Sequence, residues 1–253
     1  MNINNKVIVI TGGGQGLGRA IAVELAGSGA KLALIDLNEE QLKVTVGLIE
    51  QAGSTAHYYL ADVTNEGEVE ATFNKINNDF DGFDGLINNA GILRDGMLVK
   101  TKDGVVTKKM SLSQFQSVID VNLTGVFLCG REAAIHMIEQ KRKGVIINMS
   151  SIARGGNIGQ TNYAASKAGV VAMTITWARE LGRHGIRVGA IAPGVIKTAM
   201  TDAMKPEMRE RLEKMKPVGR LGEANEIAHT VKYIFENEFF TGRVIEIDGG
   251  LCM

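Results

Sequence analysis

The chain has 253 residues, 28 Lys and Arg against 28 Asp and Glu, and 45% hydrophobic residues. This length and composition are those of a folded domain and disfavour a mostly disordered chain. A formal net charge of zero disfavours a protein that binds bulk nucleic acid, because that class normally carries a basic excess.

Charge-free runs such as residues 7–18 are too short to span a bilayer. The polar start of the chain predicts no signal peptide. Cys129 and Cys252 are too few for a disulfide framework and lack metal-site spacing. We therefore expect a cytoplasmic protein with no metal and no membrane contact.

Short apolar runs alternate with longer amphipathic stretches along the chain. The runs are 6–10, 31–35, 86–87, 145–148, 188–192 and 244–247, and the stretches are 18–29, 39–52, 66–79, 113–140, 163–183 and 224–237. Short, unalternated apolar runs indicate strands that are buried on both faces, as in a parallel sheet. The pattern predicts an α/β fold, a single doubly wound parallel sheet flanked by helices in a Rossmann-like three-layer sandwich. We expect one domain over residues 1–253, because no linker or change in composition divides the chain.

The first predicted strand leads directly into the sequence Thr-Gly-Gly-Gly-Gln-Gly-Leu-Gly at residues 11–18. Glycines let the backbone approach a ligand closely, and the helix that follows presents free N–H groups to a pyrophosphate. An ordinary turn between strand and helix is the alternative, but the strand-before and helix-after context favours dinucleotide binding. The cofactor contacts predicted here are Gly12, Gln15, Gly16, Leu17 and Gly18.

Asp36 ends the second predicted strand, about twenty residues beyond the glycine loop. A carboxylate there can accept both ribose hydroxyls of NAD and would repel the 2′-phosphate of NADP. The alternative is a helix cap, for which Asn38 is the better candidate. Arg19 is the one cation near the loop that could attract a phosphate. We therefore expect NAD(H) to be preferred, with NADP(H) possible.

Two further strand ends carry residues that could contact a nucleotide. Asp62 and Val63 follow the third predicted strand, and Asn89, Ala90 and Gly91 follow the fourth. Ligands bind at the carboxyl ends of strands in such sheets, and Asp62 could accept from an adenine amino group. A turn or a cap is the alternative interpretation of each.

Tyr163 and Lys167 lie four positions apart and would share one face of a helix. A nearby ammonium group favours the phenolate and lowers a tyrosine pKa, so such a tyrosine can exchange a proton with a carbonyl/alcohol pair. Ser150 and Ser151 end the strand before this helix and lie 13 and 12 positions before Tyr163. A glycine-rich loop between them could fold back to bring a serine to the phenol.

Asp103-Gly104 stands between two short β-prone arms that carry lysines. This pattern predicts a two-residue hairpin, an insertion near 98–110. The segment is either a hairpin that shapes a binding rim or a solvated connecting loop.

These motifs occur in the order that is typical of one family. Over essentially its whole length the chain resembles the short-chain dehydrogenase/reductase family. Within it, the chain is most similar to 3-oxoacyl-[acyl-carrier-protein] reductases and to NAD-linked 17β-hydroxysteroid and 3-hydroxyacyl-thioester dehydrogenases. The resemblance is carried by the glycine loop, Asn88-Asn89-Ala90-Gly91, Asn122 within 121–125, the Ser, Tyr163 and Lys167 set, Pro193-Gly194 with Thr198, and Asp248-Gly249-Gly250.

The resemblance implies a role for each catalytic residue. Tyr163 would be the acid/base, Lys167 would lower its pKa and hold the nicotinamide ribose, and Asn122 would hold a proton-relay water. A serine would bind the substrate oxygen. The common spacing back from Tyr163 gives Ser150, whereas alignment on the strand end gives Ser151. We favour Ser151, because strand register fixes side-chain direction while loops tolerate deletions.

Further positions follow from the same resemblance. Additional cofactor contacts would come from Pro193, Gly194, Ile196 and Thr198. A substrate lid would lie near 199–216, a stretch with Met200, Met204, Met208 and Met215. Acyl-carrier-protein reductases usually prefer NADPH and carry a basic residue in the glycine loop, whereas this chain has Gln15 and Asp36.

The expected activity is an NAD(H)-dependent transfer of hydride to or from a secondary alcohol or ketone, foremost a 3-oxoacyl thioester. A dehydrogenase of a sugar, steroid or other small alcohol is the alternative within enzymes. A nucleotide-binding sensor without catalysis is the alternative outside them. The intact set of Asn122, serine, Tyr163 and Lys167 argues against the sensor.

The resemblance also implies partners. A homotetramer would form through 113–140 and 163–183, with 244–247 and 251–253 at another interface. An acidic acyl carrier protein would be received near Arg142 and His184, among the basic clusters 141–143 and Arg183, His184 and Arg187. The alternative is that these cations stabilise helix C-termini.

Overall fold

The computed structural model describes residues 1–197 and 206–251, apart from the side chains of Pro206 and Met208. Its strands alternate with helices as the apolar pattern predicts. The strands are β1 Val7–Thr11, β2 Lys31–Asp36, β3 Ala56–Leu60, β4 Gly85–Asn88, β5 Val99–Lys102, β6 Val105–Lys109, β7 Gly144–Met149, β8 Ile186–Pro193 and β9 Val244–Ile247. The helices are α1 Gly16–Gly27, α2 Glu39–Gln51, α3 Glu66–Phe80, α4 Leu112–Ile119, α5 Gly125–Glu139, α6 Thr161–Leu181, α7 Pro206–Lys214 and α8 Ala224–Glu236.

Seven of these strands form one parallel sheet in the order β3-β2-β1-β4-β7-β8-β9. The chain order runs outward in both directions from the β1–β4 pair. A crevice therefore opens beyond the carboxyl ends of these two strands, the place where open α/β sheets bind ligands.

The two faces of the sheet bury separate cores. Ile8 and Ile10 of β1 point to one side with α1, α2 and α8, while Val7 and Val9 point to the other with α3 and α5. This alternation explains why β1 is apolar at every position from Val7 to Ile10. The predicted three-layer α/β sandwich is confirmed.

Local capping fixes where helices begin. The Asn38 side chain accepts a hydrogen bond from Gln41 N at 3.1 Å, and that of Asn65 accepts one from Glu68 N at 3.2 Å. The predicted stretch 113–140 is two helices, α4 and α5, joined by a π-helical turn over Asp120–Thr124.

β5 and β6 pair with each other as an antiparallel hairpin outside the main sheet. Asp103 and Gly104 at its tip have φ values of 51° and 79°. Asp and Gly suit a two-residue hairpin turn because both tolerate this left-handed backbone. The structure therefore shows the predicted hairpin, and its part in shaping a binding rim stays a prediction.

No helix in the described ranges is long and apolar enough to span a membrane. Nor do residues 1–197 and 206–251 contain a group of three or more His, Cys, Asp or Glu side chains arranged to hold a metal ion.

Candidate active site

A two-part cleft runs along the carboxyl edge of the sheet, and Asn89, Gly91 and Ile92 line both parts. The first part has a volume of about 320 Å³. Its lining includes the predicted residues Gly12, Gln15, Asp36, Asp62, Val63, Asn89, Ala90 and Gly91. The second part is lined by Leu17, Ser150, Ser151, Tyr163, Lys167, Pro193, Gly194 and Ile196, among others.

Three predicted residues within the described part of the chain do not line this cleft. Gly16 is exposed at the start of α1, and Gly18 is buried beneath the loop. Asn122 is buried behind Gly91. Thr198 and residues 199–205 of the predicted lid lie outside the described residues.

At two positions the glycine loop is packed so closely that a side chain would not fit. A Cβ on Gly18 would lie 2.0 Å from the Gly12 carbonyl oxygen, and one on Gly12 would lie 2.9 Å from Ala90 Cα. Gly12 also has a φ of 64°, which favours glycine. At the start of α1 no side-chain cap from Gln15 and no acidic residue in the first turn is present. The positive end of the helix dipole is thus left for an anion such as a pyrophosphate.

Hydrogen bonds attach this loop to the turn after β4. The Thr11 hydroxyl accepts from Asn89 N at 3.0 Å and from Ala90 N at 3.1 Å. The Asn89 side-chain amide donates to Thr11 O at 3.1 Å and to Gly12 O at 3.0 Å. Asn89 therefore shapes the cleft by fixing the loop in addition to lining it. Thr11 was not among the predicted site residues, although a polar residue at a strand end was the available signal.

Asp36 is held at the far end of the first part by three backbone donors. One carboxylate oxygen accepts from Gly14 N at 3.0 Å, and the other accepts from Leu37 N at 2.8 Å and Asn38 N at 3.2 Å. The cap of α2 is Asn38, as the sequence indicated. Asp36 thus lies in the cleft with a fixed orientation.

Arg19 braces the loop from behind. Its guanidinium donates to Gly14 O at 2.5 Å, to Gln41 Oε1 at 2.7 Å and to Thr45 Oγ1 at 3.0 Å. These contacts commit Arg19, the cation that the sequence offered to a 2′-phosphate beside Asp36.

The Asp62 side chain stabilises the turn after β3, which was the alternative to a contact with the nucleotide. One carboxylate oxygen accepts from Thr64 N at 2.9 Å and from Thr64 Oγ1 at 2.8 Å. The same side chain lines the first part of the cleft together with Val63. The two interpretations are compatible.

The two serines after β7 have different surroundings. The Ser150 hydroxyl is buried and donates to the Lys167 carbonyl oxygen at 2.9 Å. The Ser151 hydroxyl accepts from Ala153 N at 3.1 Å, and its side chain lies beside the Tyr163 phenol in the second part of the cleft. Of the two, Ser151 is the serine that meets the phenol.

The electrostatics of the Tyr163 and Lys167 pair differ from the expectation. Burial raises the pKa of the Tyr163 phenol, the Ser151 hydrogen bond opposes this rise, and the charge of Asp95 adds to it. The Lys167 ammonium lies 5.6 Å from the centroid of the Tyr163 ring and donates to Met149 O at 2.7 Å. Desolvation of the phenol therefore decides the direction of its pKa shift, and the predicted lowering by Lys167 is not found. The phenol is therefore protonated near neutral pH.

Lys167 is itself almost completely buried, and burial lowers its pKa to about 8. No carboxylate among the described residues forms an ion pair with it. The side chain is therefore near its titration midpoint at mildly alkaline pH.

Asn122 lies in the π-helical turn and is fully buried. Its amide oxygen accepts from Ile92 N at 2.8 Å, and its amide nitrogen donates to Ile92 O at 3.0 Å. A Cβ on Gly91 would lie 3.2 Å from the Asn122 oxygen and 3.7 Å from the Lys167 nitrogen. Asn122, Gly91 and Lys167 therefore converge, and π-helical turns are frequent at functional sites. The proton-relay role of Asn122 stays a prediction.

Most of the lining that the sequence did not reveal is apolar. The sequence does not distinguish these apolar lining residues from apolar core residues, because both occur in the strands and the turns next to them. They are Ile35, Leu37, Ala61, Val121, Ile92, Leu93, Met149 and Val195.

The two basic clusters lie away from the cleft. Residues 141–143 directly precede β7, and Ser151 follows the other end of that strand. Arg183, His184 and Arg187 flank the start of β8, and Pro193 is its last residue. A six-residue strand separates its ends by about 20 Å. Arg142 donates to Asp81 O, and Arg187 donates to the carbonyls of Ile234, Phe235 and Phe240. Within one chain these cations do not reach the cleft, and Arg142 and Arg187 bind the fold itself.

The pKa of Lys167 makes a prediction about stability. Between about pH 8 and the ordinary lysine pKa of 10.5, the unfolded chain binds more protons at this position than the folded chain. The free energy of unfolding of the wild type relative to Lys167→Met should therefore rise with pH from 8 to 10, by about 1 kcal/mol per pH unit. Denaturant unfolding curves measure it. Lys141→Met, at an exposed position, is the control, and a constant difference between wild type and Lys167→Met would contradict the prediction.

Comparisons with known proteins agree over the whole chain. A family model described as Enoyl-(Acyl carrier protein) reductase matches residues 12–252. The chain is 39% identical to the 3-oxoacyl-[acyl-carrier-protein] reductase FabG of Thermotoga maritima, over 100% of both chains. It is 37% identical to the (2S)-[(R)-hydroxy(phenyl)methyl]succinyl-CoA dehydrogenase subunit BbsD of Thauera aromatica, over 99% of this chain and 98% of that one.

A solved structure matches in the same way. The chain is similar to the crystal structure of levodione reductase, with a TM-score of 0.89, 37% identity and 98% of each chain covered. The fold, the cleft and the full-length similarity lead to one conclusion: the chain belongs to the short-chain dehydrogenase/reductase family, a family of oxidoreductases that bind a nicotinamide cofactor.

Proposed function

We propose that this protein is an NAD(H)-dependent reductase of 3-oxoacyl thioesters. The observation that carries the proposal is the pair of Ser151 and Tyr163 side chains, which line the same cleft as the fixed carboxylate of Asp36. Two relatives of 37–39% identity are named for thioester substrates, one on a carrier protein and one on coenzyme A.

The cleft fits a dinucleotide along its length. The loop at Gly12 and Gly18 and the open start of α1 would hold the pyrophosphate. Asp36 would accept the adenosine ribose hydroxyls, and Asp62 and Val63 would contact the adenine. At the other end, Tyr163 and Lys167 would hold the second ribose, beside Pro193, Gly194 and Ile196. When bound, the cofactor supplies or accepts the hydride.

The Ser151 and Tyr163 hydroxyls would both donate to the 3-oxo oxygen of the substrate. As C3 gains a hydride, the oxygen takes the phenolic proton, so that ketone, hydride and proton give the secondary alcohol. The raised pKa of Tyr163 suits this direction, because the phenol keeps its proton at neutral pH. Oxidation of the alcohol needs the phenolate and should become faster as pH rises.

After the Tyr163 phenol has given up its proton, Lys167 would help to supply another. Lys167, with a pKa of about 8, can hold or release a proton under mild conditions. We assign Asn122 to the relay because it converges with Lys167 at Gly91.

NAD(H) preference is part of the proposal. The Asp36 carboxylate is fixed by three N–H groups, and Arg19 is committed to Gly14, Gln41 and Thr45. A 2′-phosphate would meet a carboxylate with no free guanidinium from Arg19 beside it.

Two alternatives remain: a dehydrogenase of a sugar, steroid or other small alcohol, and a nucleotide sensor without catalysis. Initial rates with a 3-oxoacyl thioester and NADH, against a panel of sugars, steroids and an enoyl thioester, separate them. Turnover of the 3-oxoacyl thioester ahead of the panel supports the proposal. Turnover of a panel alcohol alone indicates the first alternative, and cofactor binding with no turnover indicates the second.

Asp36→Ala should lower kcat/KM for NADH and reduce the discrimination against NADPH. The substitution removes both the acceptor for the ribose hydroxyls and the charge that repels the 2′-phosphate of NADPH. Steady-state kinetics with both cofactors measures it. Glu40→Ala, an exposed carboxylate on α2, is the matched control. A wild-type kcat/KM that is higher with NADPH than with NADH would overturn the NAD(H) preference.

Tyr163→Phe should lower kcat by about 10²-fold or more, since it removes the positioned proton donor, while NADH binding measured by fluorescence remains. Ser151→Ala should reduce activity more than Ser150→Ala. The Ser150 variant loses a buried hydrogen bond to Lys167 O and should therefore affect stability more than catalysis. The reverse ranking of the two serine variants would show that Ser150 binds the substrate.

We also propose that the protein is a cytoplasmic homotetramer. Phe127 and Ile135 are exposed on α5, within the segment 113–140 that the family resemblance assigns to subunit contacts. Light scattering at micromolar concentration should give about four times the chain mass. A monomer under these conditions would contradict the proposal.

A further inference from the structure

The hairpin and its flanks, residues 94–110, concentrate positive charge in a chain whose formal net charge is zero. This segment is called the lysine hairpin below. It contains five cations and two carboxylates. The cations are Arg94, Lys100, Lys102, Lys108 and Lys109, and the carboxylates are Asp95 and Asp103.

The hairpin's lysines are not neutralised by the rest of the described chain. Lys100 lies directly opposite Lys108 in the strand pairing, and like charges in that position destabilise a hairpin. None of the four lysines forms an ion pair with a residue in 1–197 or 206–251. Asp95 is engaged by the Gln160 side chain, which donates to it at 2.9 Å. The repulsion within the hairpin would be relieved by an external anionic partner.

The base of the hairpin is fastened beside Tyr163. Gly96 N donates to Gly159 O at 2.8 Å, and the Asn162 side-chain amide donates to Arg94 O at 3.0 Å. Gly159 and Asn162 belong to the segment that leads into Tyr163, and Leu93 lines the cleft. Arms of four and five residues extend about 13–17 Å from this base. The lysines therefore lie within about 17 Å of a hairpin base that adjoins the cleft.

Apolar side chains are exposed among these lysines. Leu98, Val99, Val105 and Val106 of the hairpin are exposed, and Ile158 in the neighbouring loop is 85% exposed. A small phosphate ligand would pair with lysines and leave this apolar surface in water. A protein surface with acidic and apolar residues would cover both, as interfaces with complementary charge and an apolar centre do.

We propose that the lysine hairpin and Ile158 form the docking surface for an acidic acyl carrier protein. The carrier would present its thioester to Ser151 and Tyr163 from this surface. The inference rests on the proposed function and names the partner of that site. It places the carrier at the carboxyl edge of the sheet, and the basic residues 141–143, at the opposite edge of the same chain, have no part in it.

The binding experiment uses the holo acyl carrier protein without an acyl group, so that it needs no turnover. Its Kd for the full-length enzyme is measured by fluorescence anisotropy at low ionic strength. Lys100→Glu/Lys108→Glu should raise Kd by about tenfold or more, and added salt should weaken binding to the wild type more than to the variant. Lys141→Glu/Lys143→Glu, two exposed lysines at the opposite edge, is the matched control and should leave Kd unchanged.

Kinetics supplies the second readout. The hairpin variant should show a raised KM for a 3-oxoacyl thioester on the carrier protein. Its kcat/KM for the N-acetylcysteamine thioester of the same acyl group should equal that of the wild type, which also shows that the variant is folded.

Three results would overturn the inference. They are an unchanged Kd in the hairpin variant, a larger loss in the opposite-edge variant, and an equal rise of KM for the coenzyme A thioester, which would indicate phosphate binding without protein docking. Failure of the proposed function is a separate result. In that case no 3-oxoacyl thioester is reduced by the wild type, whereas carrier binding is still measured and still tests the hairpin.

Discussion

The contact between the turn after β1 and the turn after β4 is the constraint on which the site depends. The Thr11 hydroxyl accepts from Asn89 and Ala90 N, while the Asn89 amide binds the Thr11 and Gly12 carbonyls. The glycines make this contact possible, since a Cβ on Gly12 or Gly18 would overlap backbone atoms. The join lies where the strand order reverses, so one set of bonds fixes both the floor of the cleft and the direction of α1.

At the end of the cleft that holds Tyr163 and Lys167, burial costs stability and shifts the pKa of both groups. Lys167 is buried without a carboxylate partner among the described residues and binds the Met149 carbonyl instead. Burying a cation in this way is unfavourable, and the lowered pKa of Lys167 expresses that cost. The same burial keeps the Tyr163 phenol protonated. Desolvation thus makes Lys167 the stronger acid and keeps the Tyr163 phenol in its protonated form.

Positive charge is distributed over both edges of the sheet with different consequences. At the amino edge, Arg142 and Arg187 are bound to backbone carbonyls and belong to the fold. At the carboxyl edge, the lysine hairpin is bound through its base and leaves its lysines without ion pairs to described residues. The first arrangement stabilises the chain, and the second suits an interaction with something outside it.

The sequence by itself determined the architecture and most of the cofactor cleft. Apolar runs set the strands, and Asn38 capped its helix. The loop at 11–18 and Asp36 lie at strand ends, which parallel pairing brings together. The tertiary structure alone decided that Ser151 and not Ser150 meets Tyr163, that Arg19 is committed to the loop, and that the Tyr163 pKa rises. It also placed Arg142 and His184 away from the cleft. The physical reason is that side-chain direction, desolvation and the end of a strand at which a residue lies depend on what packs around each residue, and local sequence spacing does not contain that information.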